Sequence, residues 1–242
     1  MLYVTGTNEN STDYTEVFNP MSTTKCNRLA DFPVPEIHLS VGNVIDEVPI
    51  VCGGQTKSRV PSRECYKYDL SQNEWVHLAD MDIARAYHAA VVMPYSNRLW
   101  ITGGFDWKSF ELRNSTLFLS SNGSITAGPD LPKEIMNHCM VQLIDGRIMI
   151  TGGSVQGYIT VDEVIIYDPK SQNYTEGVNM RNTHEGHACA LFFSRMHSGR
   201  PVVATIGGWL MDKTDNRGRS VELLDYTTPG AIWEESKNIT SN

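Results

Sequence analysis

The amino-acid sequence predicts an all-β protein, a β-propeller of about five small antiparallel sheets stacked around an axis, on three observations. An apolar strand running into glycine recurs five times, histidines recur at nearly the same spacing, and a third phase of strand-like segments falls between them. The glycine steps stand at Gly6, Gly53, Gly103, Gly152 and Gly207, at intervals of 47, 50, 49 and 55 residues. A fixed period of that size marks a repeat architecture.

Within each period the elements follow in a set order. The first is led by His38, His88, His138 and His187, in "HLSVGNVI", "HAAVVM", "HCMVQLI" and "HACALFF". The second is the apolar strand that ends in the step: "LYVTGT", "PIVCGG", "LWITGG", "IMITGG" and "VATIGG". The third reads "EVFNP", "CYKYDL", "STLFLS", "VIIYDP" and "VELLDY"; a polar turn then leads to "NEWVHL", "GSITAG", "NYTEGV" and "AIWEES". Four short strands joined by Gly, Asn and Pro turns make one antiparallel sheet. A sheet this small cannot cover both of its apolar faces, so successive sheets must stack. The pairs Gly53-Gly54, Gly103-Gly104, Gly152-Gly153 and Gly207-Gly208 are expected near the crowded hub, where a β-carbon would clash and the chain needs positive φ. One domain, 1–242, divides into blades at 1–34, 35–82, 83–133, 134–182 and 183–237. Repeat one lacks an innermost segment and repeat five ends at "AIWEES", so the reading is about five blades of a partial ring of six, with a five-bladed ring closed by the tail as the alternative.

Composition bounds the partners. With 242 residues and 40% apolar content the chain buries a real core. Its net charge of −8 and the lack of any Lys or Arg block argue against nucleic acid and anionic membranes, and favour basic partners. The longest apolar stretches, such as "AAVVM" at 89, are about five residues, far short of a membrane span. Met1 is followed at once by strand-like "LYVTGT", so an extracellular location requires a signal peptide upstream of this sequence; otherwise the protein is cytoplasmic.

Diglycine after an apolar strand, then Tyr66, Tyr68 and Asp69, then Trp75, then "MDIARAYH" from Met81 to His88, is similar to the kelch repeat, whose family fold is a β-propeller. The resemblance covers nearly the whole chain and is strong in the second and fourth repeats. The third has Phe118 in place of the tyrosine and lacks the tryptophan, and the first has only Gly6-Thr7. The stretch "KCNRLADFP…VCGG…ECYKYD" also resembles the cysteine-bearing kelch modules of extracellular invertebrate proteins. Peptide-binding kelch domains contact ligands through aromatic residues just after the diglycine and an arginine three residues before the strand histidine. By that resemblance Phe105, Trp209 and Arg85 are the nearest matches.

Five cysteines are present: Cys26, Cys52, Cys65, Cys139 and Cys189. Cys52 ends one strand and Cys65 starts the next, which places them opposite each other for a disulfide; a pair of buried thiols is the alternative. No Cys-x-x-Cys or compact Cys and His cluster exists, which excludes a zinc site, and the odd count leaves at least one thiol free. Sequons begin at Asn10, Asn114, Asn122, Asn173 and Asn238, a modest excess that tilts the reading towards glycosylation and secretion.

The in-phase histidines, if they pointed at the axis, would form a ring able to hold a metal; the preferred reading is that each caps an inner strand and bonds to the neighbouring blade. A galactose-oxidase-like copper-radical site needs a Cys crosslinked to a Tyr, but Tyr66 beside Cys65 on a strand points to the opposite face. No sialidase turn, Gly-x-Ser-x-Gly, phosphate loop or His-Glu-x-x-His is found. The expectation is therefore a non-enzymatic protein-interaction module with no metal and no cofactor, its partner a protein segment. The alternative is an extracellular structural propeller without a dedicated ligand. Binding residues are sought on the loops gathered at one end: Gln55, Phe105, Trp107, Ser154, Tyr158 and Trp209 after the glycine steps, with Arg85 and His184 before the strand histidines.

Overall fold

The computed structural model describes residues 2–7, 13–18, 27–34, 37–56, 58–209 and 220–236. Among them the chain folds into five consecutive antiparallel sheets. The first holds β1 (Leu2–Thr7), β2 (Asp13–Phe18) and β3 (Asn27–Arg28) in that order. The second holds β4 (Val41–Ile45), β5 (Val48–Cys52), β6 (Glu64–Asp69) and β7 (Glu74–Asp80). In the third, β8 (Ala89–Val92) and β9 (Leu99–Thr102) are followed by a small hairpin, β10 (Phe105–Asp106) and β11 (Glu111–Leu112), before β12 (Thr116–Leu119) and β13 (Ile125–Ala127) complete the sheet. The fourth repeats this plan with β14 (Cys139–Gln142), β15 (Ile148–Thr151), the hairpin β16 (Ser154–Val155) and β17 (Ile159–Thr160), then β18 (Val164–Asp168) and β19 (Asn173–Glu176). The fifth holds β20 (Ala188–Ser194), β21 (Arg200–Ile206), β22 (Val221–Leu224) and β23 (Glu234–Glu235).

Neighbouring sheets touch through their histidine-led strands, β4 on β8, β8 on β14 and β14 on β20, so these line the hub. Strands β9 and β15 are buried along their whole length because a sheet lies on each face. The apolar clusters accordingly sit between sheets: Phe32, Ile37, Tyr68 and Trp75 between the first and second; Ile45, Ile50, Leu99 and Ile101 between the second and third; Trp100, Ile148 and Tyr167 between the third and fourth; and Leu143, Met149, Val203 and Trp233 between the fourth and fifth.

The glycine steps are as crowded as expected, but by a different neighbour. They end the second strand of each sheet, away from the axis, where the chain entering the next blade crosses. A β-carbon on Gly103 would lie 2.5 Å from the Ile135 carbonyl oxygen, and one on Gly152 would lie 2.4 Å from that of His184. Both glycines also have positive φ, 61° and 56°.

One further expectation is corrected. His38 is not the counterpart of His88. It bridges Gln55 as Ala86 bridges Phe105 and Met136 bridges Ser154, which makes Ser40 the equivalent of the later histidines. The cause is the β4–β5 hairpin, closed by only Asp46 and Glu47, both with positive φ, where the third sheet uses a longer turn. For cysteine the expected bridge is present and a second, which the sequence did not suggest, joins it. Cys52 and Cys65 are bridged, and so are Cys139 and Cys189, whose Cα atoms are 5.9 Å apart across the innermost strands of the fourth and fifth sheets. Cys26 lies outside the described residues.

The fifth sheet differs from the others on one face. Ala89 and Val91 of β8 with Met93 just beyond it, and Val141 of β14 with Leu143 just beyond it, are buried by the following sheet. Their counterparts in β20, Ala188, Ala190 and Phe192, are exposed, and Ile206, at the position of buried Cys52, Thr102 and Thr151, is 45% exposed.

Candidate functional site

At the glycine-step end, each loop begins with a residue pinned to the chain that enters the hub: Gln55 to His38, Phe105 to Ala86, Ser154 to Met136 and Trp209 to Glu185. One residue further in, Leu39, Tyr87, Asn137 and Gly186 all have left-handed backbone, with φ of 58°, 58°, 56° and 61°. The Tyr87 N–H donates to the Leu39 carbonyl, that of Asn137 to Tyr87 and that of Gly186 to Asn137, an arc of backbone hydrogen bonds running from blade to blade around the hub. The loops outside this arc are thus carried on a fixed base.

The β10–β11 hairpin and the β16–β17 hairpin raise an aromatic cluster on that base. Phe105, itself buried, has ring centroids of Trp107, Phe110 and Tyr158 at 4.9, 6.4 and 6.2 Å, and Tyr87 lies 6.5 Å from Trp107. The Arg59 guanidinium sits 4.9 Å from the Trp107 ring, within cation–π reach. Phe110 is 70% exposed, Tyr158 55% and, on the next loop, Trp209 61%. Nothing in the repeat spacing singles out Phe110. It lies five residues beyond Phe105, at the end of the turn of a hairpin whose length the repeat pattern does not reveal.

Of the eight binding candidates, Trp209 and Tyr158 are exposed and Trp107 is half-buried, whereas the others are inside. Arg85 is fully buried, donating to the carbonyl oxygens of Gly103 and Ser115 at 3.1 and 3.0 Å. Burial pulls its pKa down and the Asp82 carboxylate pulls it up. Two blades on, His184 does the same job: Nδ1 is 2.9 Å from the Gly207 carbonyl and Nε2 is 3.0 Å from Glu222 Oε1. Burial opposes the charge of Glu222, yet hydrogen bonds from His184, the Arg181 N–H and Asn182 hold its carboxyl below the ordinary value. Because the Gly54 and Gly153 N–H groups of the preceding blades also donate to the Arg85 and His184 carbonyls, both residues are buried ties between blades rather than exposed contact residues. Gln55 and Ser154 are buried as well, Gln55 Nε2 lying 3.2 Å from His38 Nε2 and the Ser154 hydroxyl donating to Glu185.

The strand histidines also turn away from the axis. His88 Nε2 is 3.2 Å from the Cys52 carbonyl oxygen, His138 Nε2 2.8 Å from Thr102 Oγ1 and His187 Nε2 2.9 Å from Thr151 Oγ1, each a tie to the preceding blade. Burial pushes all three pKa values down to about 3, so the rings are neutral at pH 7. Metal-ligating atoms come together elsewhere among the described residues, where Glu64, His77 and Asp80 lie within 4.8 Å of one another at the outer edge of the second sheet. Arg63 and His77 already pair with Asp80, and the Tyr66 hydroxyl donates to Glu64. The sulfur of Cys65 is committed to Cys52, which removes it from any crosslink to Tyr66. Of the sequons, Asn122 and Asn173 are exposed, and Asn114 is partly buried with its amide donating to the Leu131 carbonyl; Asn10 and Asn238 lie outside the described residues.

Comparison with known proteins adds three findings. A family model described as the Kelch motif matches residues 44–82, that is, β5 to β7 and their flanks. Beta-scruin of Limulus polyphemus is 25% identical over 138 residues, an alignment covering 54% of this chain and 14% of that protein. A solved structure titled "Structure of YjhT" superposes with a TM-score of 0.65 at 12% identity, covering 94% of this chain and 91% of that one, and shares the fold. No helix among the described residues is long and apolar enough to cross a membrane.

Proposed function

Since the chain is a kelch-repeat β-propeller, a fold that in general serves protein interaction, we propose that it is a non-enzymatic module that binds a segment of another protein through the loops at its glycine-step end. The observation that carries this reading is the aromatic surface. Phe110, Tyr158 and Trp209 are held in water on short, pinned loops, while the residues beneath them are tied into the scaffold. Large aromatic rings on a rigid base lose little conformational entropy on binding and dominate interface energetics. The buried ties also favour a non-enzymatic reading, because the histidines and the arginine that would otherwise offer chemistry hold blades together instead.

The test is affinity capture from the source tissue with the wild-type protein and with the variant Phe110→Ser, Tyr158→Ser, Trp209→Ala. The module reading expects a defined partner that the variant loses at an unchanged melting temperature. Capture that is identical for both proteins overturns it and leaves the ligand-free structural propeller.

A further inference from the structure

The end of the molecule opposite the aromatic loops carries an unneutralised cation in a cleft. An arginine stands at the start of the second strand of three successive sheets: Arg98 and Arg147 immediately before β9 and β15, and Arg200 as the first residue of β21. In the fourth sheet Arg147 Nε and Nη2 reach Asp145 Oδ2 at 2.8 and 2.7 Å, and in the fifth Arg200 Nη1 reaches Asp225 Oδ2 at 2.9 Å. In the third sheet the two positions that supply those carboxylates are Ser96 and Ser120. Arg98 consequently enters no ion pair among the described residues. Its Nη2 donates to the Phe118 carbonyl oxygen at 3.1 Å and to Thr126 Oγ1 at 2.5 Å, and its Nε is buried without a partner. In a protein of net charge −8, an arginine held without an acid is conspicuous.

The surroundings are those of a small-molecule site. A cleft of about 480 Å³ between the third and fourth blades is lined by Tyr95, Arg98, Phe118, Pro129 and Tyr167, within the usual range for ligand pockets. The guanidinium lies 5.1 Å from the Phe118 ring, and Lys170 Nζ lies 5.3 Å from the ring of Tyr95. With Nη2 engaged by Phe118 and Thr126, Nη1 is left to give a charge-assisted hydrogen bond to a carboxylate, and the aromatic walls match a flat ring. We infer that this cleft binds a small carboxylate attached to a ring, the acid entering where Asp145 and Asp225 stand in the later blades.

Calorimetric titration with benzoate and with glucuronate tests the inference, with benzyl alcohol and glucose as neutral counterparts; the two acids distinguish an aromatic from a sugar ring. Saturable binding of at least one acid is expected, with no binding of its neutral counterpart, and Arg98→Gln weakens it about tenfold or more. A second variant, Ser96→Asp, installs the carboxylate of the fourth blade next to an intact Arg98; it is expected to abolish binding without lowering the melting temperature. This keeps the test open should Arg98→Gln fold poorly. No saturation by either acid up to about 10 mM, or an affinity that Ser96→Asp leaves unchanged, overturns the inference.

Discussion

The fourth and fifth blades are built from the same repeat, yet they treat the same surface in opposite ways. Leu143 is buried under the following sheet, whereas Phe192, at the equivalent position, is 40% exposed. Thr151 receives the imidazole of His187, whereas its counterpart Ile206 lies open. A blade therefore draws much of its stability from its successor, through apolar contact and one neutral histidine, and the fifth blade leans instead on its predecessor and on the Cys139–Cys189 bridge.

Acid is expected to break the histidine-tied junctions most severely. His88, His138 and His187 have pKa values pushed from 6.5 to about 3 in the folded protein. Above pH 6.5 both states are neutral there. As pH falls from 6.5 towards 3 the unfolded chain takes up protons that the folded chain refuses, so stability falls by on the order of 1 kcal/mol per imidazole per pH unit. Urea unfolding at pH 7.5, 6 and 5 measures this, and a midpoint that does not move between pH 7.5 and 5 contradicts it.

Next in size is the bridge. Cys139→Ser with Cys189→Ser opens a loop with a sequence separation of 50, for which chain entropy alone predicts a loss of about 4 kcal/mol, against about 3 kcal/mol for the separation of 13 closed by Cys52 and Cys65. Limited proteolysis should then cut β20 to β23 first. Leu143→Ala is expected to cost about 2–5 kcal/mol and Phe192→Ala less than about 1 kcal/mol, a contrast that thermal melting reads directly. Equal losses would mean that the open face is covered in solution. The smallest stability effect, within about 0.5 kcal/mol, is expected for Phe110→Ser, an exposed loop residue whose loss should register in binding alone.

Much of this plan is legible in the sequence because the glycine step, and in the third to fifth blades the strand histidine, recur for reasons that do not change: a carbonyl passes too close to the step for a β-carbon, and a ring nitrogen bonds the preceding blade. The Cys52–Cys65 pair was equally readable, since it joins neighbouring strands. Other features depend on the space between blades, which a linear pattern does not show. Cys139 and Cys189 meet across two sheets. Arg85 looks like a surface arginine until the next glycine carbonyl is placed over it. His38 held the right interval only because the β4–β5 hairpin is short, and the importance of Arg98 emerges from comparing the partners of three arginines rather than from its own surroundings in sequence.

The backbone arc through Leu39, Tyr87, Asn137 and Gly186 has a practical corollary for engineering. Adding or removing one residue there would misalign two junctions at once, since Tyr87 and Asn137 each give to one neighbour and receive from the other. The tips at Ser109 and Gln156 lie outside that gearing and are exposed, so foreign segments grafted at those points should leave the wheel intact.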